Sequence, residues 1–358
     1  MASSSTNVAT FGSRSALIAA FLAALLFGAS TPFAKILTGS VEPTILAGLL
    51  YLGSGAGLWT LRLIRDRGFV SPRLPSSEWP WLLGAVVSGG ILAPVFLMWG
   101  LTQTSAADAS LLLNLEAVLT AVLAWVVFRE NADRRIVLGM ALIVAGGVTL
   151  VWQTAAGSRG SLMGALAVAA ACLCWAIDNN LTRKISASDA VFIAATKGLA
   201  AGTTNLALAL TLGAALPPAV TLATAMLVGF VGYGVSLVLF VLALRGLGAS
   251  RTGAYFSTAP FIGAAIAIAF FHEPISLAFW IAAGLMAAGV WLHLTERHEH
   301  EHAHEPLTHA HSHHHDGHHR HRHAFPWDGV EPHSHEHTHE PLTHIHPHYP
   351  DIHHRHGH

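Results

Sequence analysis

The chain has 358 residues, 53% of them hydrophobic and only 11% Asp, Glu, Lys or Arg, with a formal net charge of −1. Ordinary soluble domains carry roughly a quarter charged residues, so a soluble fold of this size is excluded. Two cysteines, Cys172 and Cys174, lie in an apolar run and read as small buried residues, neither a disulfide framework nor a metal pair.

A bilayer core needs about 20 apolar residues per helix. Ten stretches meet that length: 15–36, 43–63, 80–101, 107–128, 135–153, 161–182, 189–212, 220–243, 251–271 and 276–295. The first, Ala16 to Ala29 after Arg14, has the look of a signal peptide. The apolar pattern continues to Ile36 and Leu37, however, which makes it a first transmembrane helix. The runs are too long and continuous for barrel strands. The expected fold is therefore all-α and membrane-integral.

Basic residues set the expected orientation. With the N-terminus, residues 1–14, in the cytoplasm, the inner segments carry Arg14, then Arg62, Arg65, Arg67 and Arg73, then Arg129, Arg134 and Arg135, then Arg183 and Lys184, then Arg245 and Arg251, and Arg297. The outer loops carry only Lys35 and Arg159. Both termini are then cytoplasmic, as in a multi-pass protein of a bacterial inner membrane.

The chain repeats itself. Phe128-Arg-Glu130 ends one apolar run and Phe271-His-Glu273 another, a shift of 143 residues that also matches Leu101 with Leu244, Ala106 with Ala249 and Gly146 with Gly289. Residues 15–153 and 161–295 form the two halves. Five helices per half is an odd number, so the halves are expected to lie inverted, an arrangement typical of secondary transporters with a solute site near mid-membrane.

Four stretches carry a family likeness: Phe27-Gly-Ala-Ser-Thr-Pro-Phe-Ala-Lys35, Ala109-Ser-Leu-Leu-Leu-Asn-Leu-Glu116, Ala121-Val-Leu-Ala-Trp-Val-Val-Phe-Arg-Glu130 and Trp175-Ala-Ile-Asp-Asn-Asn180. They resemble the drug/metabolite transporter superfamily, EamA type, over about residues 15–295. The resemblance implies ten helices in two five-helix repeats, and transport, often export, of small organic solutes. Family members commonly have proline after the Glu of the fourth helix. Here Ala117 stands there, while Pro260 holds the equivalent place in the second half. The resemblance thus implies a kink in helix nine, with no proline to impose one in helix four.

Ionisable groups in hydrocarbon need a reason. Glu116 near the centre of helix four, Asp178 with Asn179 and Asn180 in helix six, and Lys197 in helix seven are the candidates for a solute or proton path. The alternative is an Asp178–Lys197 or Glu116–Lys197 pair that only holds helices together. Asp108 and Arg251 read as helix starts, and Glu273 as a helix-end charge. Trp59, Trp79, Trp81, Trp125, Trp152 and Trp175 read as interface anchors. Pro32, Pro94 and Pro260 could break helices and free carbonyls, or merely aid packing. Gly53, Gly55 and Gly57 allow close helix approach.

Of 26 histidines, 24 lie in residues 298–358, a segment whose polar composition predicts disorder. His304-Glu-Pro-Leu-Thr-His309 recurs as His339-Glu-Pro-Leu-Thr-His344. Alternating histidines at His298, His300, His302, His304, His309, His311, His313, His333, His335, His337, His339, His344, His346 and His348 suit Ni, Co, Zn or Cu. No cofactor is required by any motif. Two functions follow as expectations: export of an organic metabolite, amino acid or drug, driven by a gradient, or divalent metal efflux with the tail as a cytoplasmic loading or sensing arm. A membrane-anchored metal sensor without transport is the third. No phosphate loop, HExxH or GxSxG stands in the chain, so an enzyme is not expected, nor a nucleic-acid partner. The expected partners are the lipid bilayer and a small molecule or metal ion, with a homodimer left open.

Overall fold

The computed structural model describes residues 13–70, 74–128, 134–155, 161–185 and 189–295 and, in the tail, 301–304, 307–313, 333–339 and 342–345. Up to residue 295 the described elements are helical: α1 (Ser13–Leu37), α2 (Pro43–Arg65), α3 (Trp79–Ala85), α4 (Ala93–Gln103), α5 (Ala106–Leu112), α6 (Leu115–Phe128), α7 (Arg134–Ala155), α8 (Leu162–Lys184), α9 (Ala190–Thr211), α10 (Ala219–Gly229), α11 (Ser236–Phe256), α12 (Ala259–Phe271) and α13 (Leu277–Leu294). Eight helical stretches are long and apolar enough to cross a bilayer, and two shorter apolar helices, Ala259–Phe271 and Leu277–His293, stand beside them. Helix is imposed by the solvent: lipid offers no partner to a bare N–H or C=O, so each segment must satisfy its own backbone.

Helix starts are marked by side-chain acceptors. Glu42 accepts from the Ile45 N–H at 2.8 Å, Asp189 from Val191 at 2.9 Å and Ser276 from Phe279 at 3.1 Å. Each satisfies a donor that the first turn leaves without a partner.

Three spans are less regular than the sequence predicts. The third is interrupted by a π-helical segment, Val86–Leu92, between α3 and α4. A second π-helical segment, Phe230–Val235, joins α10 to α11. The fourth span is broken at Leu113–Asn114, between α5 and α6, although Ala117 stands where a proline was expected. In helix nine the break falls just before Pro260, as expected, but Arg251 does not begin it: α11 runs on to Phe256. Pro94 opens α4 directly after the π segment, whereas Pro32 sits inside an unbroken α1.

The helices pack in matching sets. α1 lies on α11 and α12, α8 on α4 and α6, α2 on α9 and α10, and α7 on α13. Glycines set the closest approaches. Gly55 of α2 lies against Gly198 of α9, Gly139 of α7 against Gly289 of α13, and Gly146 against Ala282. Without a hydrophobic drive between helices in lipid, such close backbone contact is a main source of association.

One end of the α2–α9 pair is closed by charge. The Arg62 Nε donates to Asp189 Oδ2 at 3.2 Å, Arg65 Nη2 to the same oxygen at 3.1 Å, and Arg62 Nη2 to the Val70 carbonyl at 3.1 Å. The Arg62 guanidinium also stacks 5.4 Å from the Trp59 and Phe192 ring centres. Trp59, expected as an interface anchor, therefore also serves as a cation-binding face. Burial alone would raise the Asp189 carboxyl, but the hydrogen bonds from Arg62 and Arg65 outweigh it and hold it below its ordinary value. A lowered folded value means this stabilisation is complete above the ordinary carboxylate value of about 4 and fades as pH falls through the folded value. Thermal stability in detergent is expected to drop as pH is lowered beneath that point. Asp189→Asn is expected to start lower and to lose part of the drop; an identical pH slope in the variant would contradict the assignment.

In the tail, where composition predicts no regular structure, the described residues pair as strands. β1 (Glu301–His304) is antiparallel to β4 (Leu342–Ile345), and β2 (Leu307–His313) to β3 (His333–His339). Alternating histidine and small polar or apolar residues have the period of a strand.

Candidate functional site

The candidate charges come from α6, α8 and α9, and the structure sorts them into two groups. Lys197 of α9 donates from Nζ to both Asp178 oxygens, at 2.5 and 2.6 Å. Thr182, one turn along α8, donates to Asp178 Oδ1 at 2.8 Å. Asp178 is buried at 5% exposure, so this is an ion pair inside the bundle. Of the two pairings considered from sequence, Asp178–Lys197 forms.

Glu116 of α6 belongs to the second group. Its Oε1 accepts from the Asn179 amide of α8 at 2.9 Å, and that amide also donates to Thr120 Oγ1 at 3.3 Å. Asn179 is exposed, and Glu116 is half-buried. Asn180 turns the other way and ties α8 to α6 by donating to the Thr120 carbonyl at 3.2 Å, and it also bonds its own helix at Ala176 O, at 2.9 Å. Asn180 is thus a brace, and Asn179 is the amide that meets Glu116. The break at Leu113–Asn114 lies just before Glu116. Two side chains serve its carbonyls: Asn114 Nδ2 donates to Leu111 O at 2.9 Å and Cys172 Sγ lies 3.6 Å from Leu112 O.

The sequence did not single out Tyr51. Its hydroxyl donates to the Gly89 carbonyl at 2.8 Å, and Trp175 Nε1 donates to the same carbonyl at 3.0 Å. Trp175, expected at the interface, is 7% exposed and deep in the bundle. Gly89 sits in the π segment, where the carbonyl ladder is loosened and needs such partners. Asn205 of α9 donates to the neighbouring Gly90 and Ile91 carbonyls, at 3.3 Å each. A Cβ on Gly89 would collide with the Asp178 carboxylate, so the glycine makes room for the ion pair. The Tyr51 ring lies 5.7 Å from that of Tyr233, tilted by 40°, and Tyr233 lies in the other π segment. Trp175, Asp178 and Asn179 at i, i+3 and i+4 on one helix, and the distant pair Gly89-Gly90, were the available signals; without the fold, nothing joined them to Tyr51.

The tail histidines fall into two classes. His302, His304, His309, His311, His313, His333, His335, His337, His339 and His344 lie on strands, while His298, His300, His346 and His348 fall outside the described residues. Backbone register sets His309 opposite His337, His311 opposite His335 and His313 opposite His333. Among the described residues no group of three or more His, Cys, Asp or Glu is placed to hold a metal ion.

A helical bundle of bilayer-length spans enclosing a buried ion pair and a carboxylate–amide group defines a multi-pass membrane protein of the carrier type. The EamA-like transporter family model matches residues 14–152 and again 162–295. The chain belongs to the EamA-like transporter family, and it is a membrane transporter. It is 29% identical over 293 residues to an uncharacterized transporter of Methanothermobacter thermautotrophicus, covering 77% of this chain and 84% of that one. A crystal structure of a protein 24% identical shares the fold, with a TM-score of 0.58 over 78% of this chain and 95% of that one. Family and relative point to carriage rather than catalysis.

Proposed function

We propose that this chain exports a small organic solute across a bacterial inner membrane, driven by a gradient, through ten helices arranged as two inverted five-helix repeats with both termini in the cytoplasm. The repeat is supported by the two family matches and by three correspondences at a shift of 143 residues. That shift carries the first π segment, residues 86–92, onto 229–235, beside Phe230–Val235. It carries Gly55 onto Gly198, and those two touch. It exchanges the contact Gly139–Gly289 with the contact Ala282–Gly146. A residue that meets its own repeat partner sits on a two-fold axis, which supports a solute path beside the α2–α9 crossing.

The observation that carries the reading is the different company kept by two carboxylates. Asp178 is neutralised in place by Lys197, whereas Glu116 is held by the neutral amide of Asn179 beside the Thr120 hydroxyl. A proton or a cationic group of the solute can neutralise Glu116 in turn, and that exchange is how a carboxylate inside a membrane couples two fluxes.

Glu116→Gln keeps the shape and the hydrogen-bonding partner but cannot exchange its charge. A deletion strain grown on amino-acid analogues, drugs and metal salts first identifies the sensitivity that the wild-type chain relieves. Glu116→Gln, produced at wild-type level in the membrane, is expected to relieve it by less than about one tenth, the scale of losing one essential charge transfer. Full relief by Glu116→Gln would remove Glu116 from the path.

A further inference from the structure

We propose that Glu273 is a clasp that holds one end of the bundle closed and must let go during transport. The residue follows α12 in the short connection to α13. Its two carboxylate oxygens accept from successive backbone donors at the start of α5: Oε1 from Ala106 N at 2.9 Å and Oε2 from Ala107 N at 2.8 Å. The donors and the acceptor are 166 and 167 residues apart, so the contact joins one half of the chain to the other. Lys35, at the end of α1, donates to the Leu101 carbonyl at the end of α4, and its charge acts on Glu273. Two backbone donors and one cation therefore act on one carboxylate.

The loop is built to aim it. His272, directly before Glu273, ends α12 with φ 53° and ψ 35°, the left-handed conformation that turns the chain out of a helix and toward α5. The start of α5 already has an acceptor of its own, since Ser105 Oγ accepts from Asp108 N at 2.9 Å. Glu273 thus adds a cross-half contact to a helix that is capped from within.

The two halves differ at this very place. In the first half the chain breaks between α4 and α5, at Thr104–Ser105, and Glu273 seals the break. The positions 143 residues later, Leu247–Gly248, lie inside the continuous helix α11. Alternating access requires one end to be closed while the other is not, and a contact made at a helix break in one half, where the equivalent backbone of the other half runs on as helix, fits that need. Under the orientation proposed above, the clasped end faces away from the cytoplasm. The inference rests on the chain being a carrier, but not on Glu116.

The test uses the full chain in nanodiscs, with Cys172 and Cys174 replaced by alanine and Ser110→Cys as reporter. Ser110 is 1% exposed, on α5 just below the clasp and against Gly263 of α12. A water-soluble maleimide is expected to label Ser110→Cys slowly, and Glu273→Ala to speed labelling by about tenfold or more, the population shift expected from losing charge-assisted hydrogen bonds. Lys35→Met is expected to move it the same way by less. Ser105→Ala removes the helix's own cap and leaves Glu273 in place; it is expected to change nothing. Equal acceleration by Ser105→Ala would reduce Glu273 to an ordinary helix cap. Unchanged labelling in Glu273→Ala that elutes as a single folded species would also overturn the clasp.

Discussion

Replacing Lys197 alone with methionine is expected to leave far less folded protein than replacing both members of its pair, Lys197→Met with Asp178→Asn. The single change strands a carboxylate in the bundle. Asp178 cannot swing to water, because its oxygens sit against Gly89 with no space for even a Cβ, and only the Thr182 hydroxyl remains beside it. Breaking a buried pair by removing one partner typically destabilises by about 3–5 kcal/mol, whereas replacing both with neutral groups is often harmless. The measurement is the yield and melting temperature of monodisperse protein in detergent for the wild type, both single variants and the double. If the double variant is as poor as the singles, the pair is not what governs folding. If it folds and also relieves the strain's sensitivity, Asp178 and Lys197 are a structural tie and Glu116 alone stays in the path. A folded but inactive double variant would place the pair on the solute path.

How much of this was legible before the fold was known depends on which force sets each feature. Lipid thickness sets span length, and it acts on local composition, so the apolar stretches could be read directly. The Asp178–Lys197 pair could be named as one of two options, because charges in hydrocarbon must find partners. The departures arise where a distant segment supplies the missing hydrogen bond. Val86–Leu92 carries no residue that demands a π-helix. Its loosened carbonyls are tolerated because Tyr51, Trp175 and Asn205 arrive from α2, α8 and α9 to bond them. The break at Leu113–Asn114 needs no proline for the same reason: the Asn114 side chain serves the Leu111 carbonyl locally, and Cys172 approaches the next one from α8. Glu273 looked like a charge at a helix end because its partners, Ala106 and Ala107, are backbone groups, which leave no mark in a sequence. Trp175 was misplaced because indole suits both an interface and a buried carbonyl, and composition does not separate them.

The second large effect concerns backbone proximity, and it contrasts two glycines. Gly55→Ala is expected to lower the melting temperature of detergent-purified protein sharply, whereas Gly284→Ala is expected to leave it unchanged or raise it. A Cβ on Gly55 would enter the backbone of Gly198 and Leu199, and backbone cannot rotate aside as a side chain can. Either α2 and α9 move apart along their whole crossing, or the contact is lost; overpacking of this kind typically costs about 1–3 kcal/mol. The same crossing sits beside the Tyr51 and Asn205 bonds that hold the first π segment, so separation there also loosens Gly89 and the Asp178 carboxylate behind it. A Cβ on Gly284, inside α13, would meet nothing within 4 Å, and alanine favours helix over glycine by roughly 0.5–1 kcal/mol. Because both substitutions add one methyl to a helix interior, intrinsic helix preference pushes them the same way and only packing separates them. Equal melting temperatures for the two variants would mean that the α2–α9 contact is not held at van der Waals distance, and the proposed two-fold relation of Gly55 to Gly198 would lose its support.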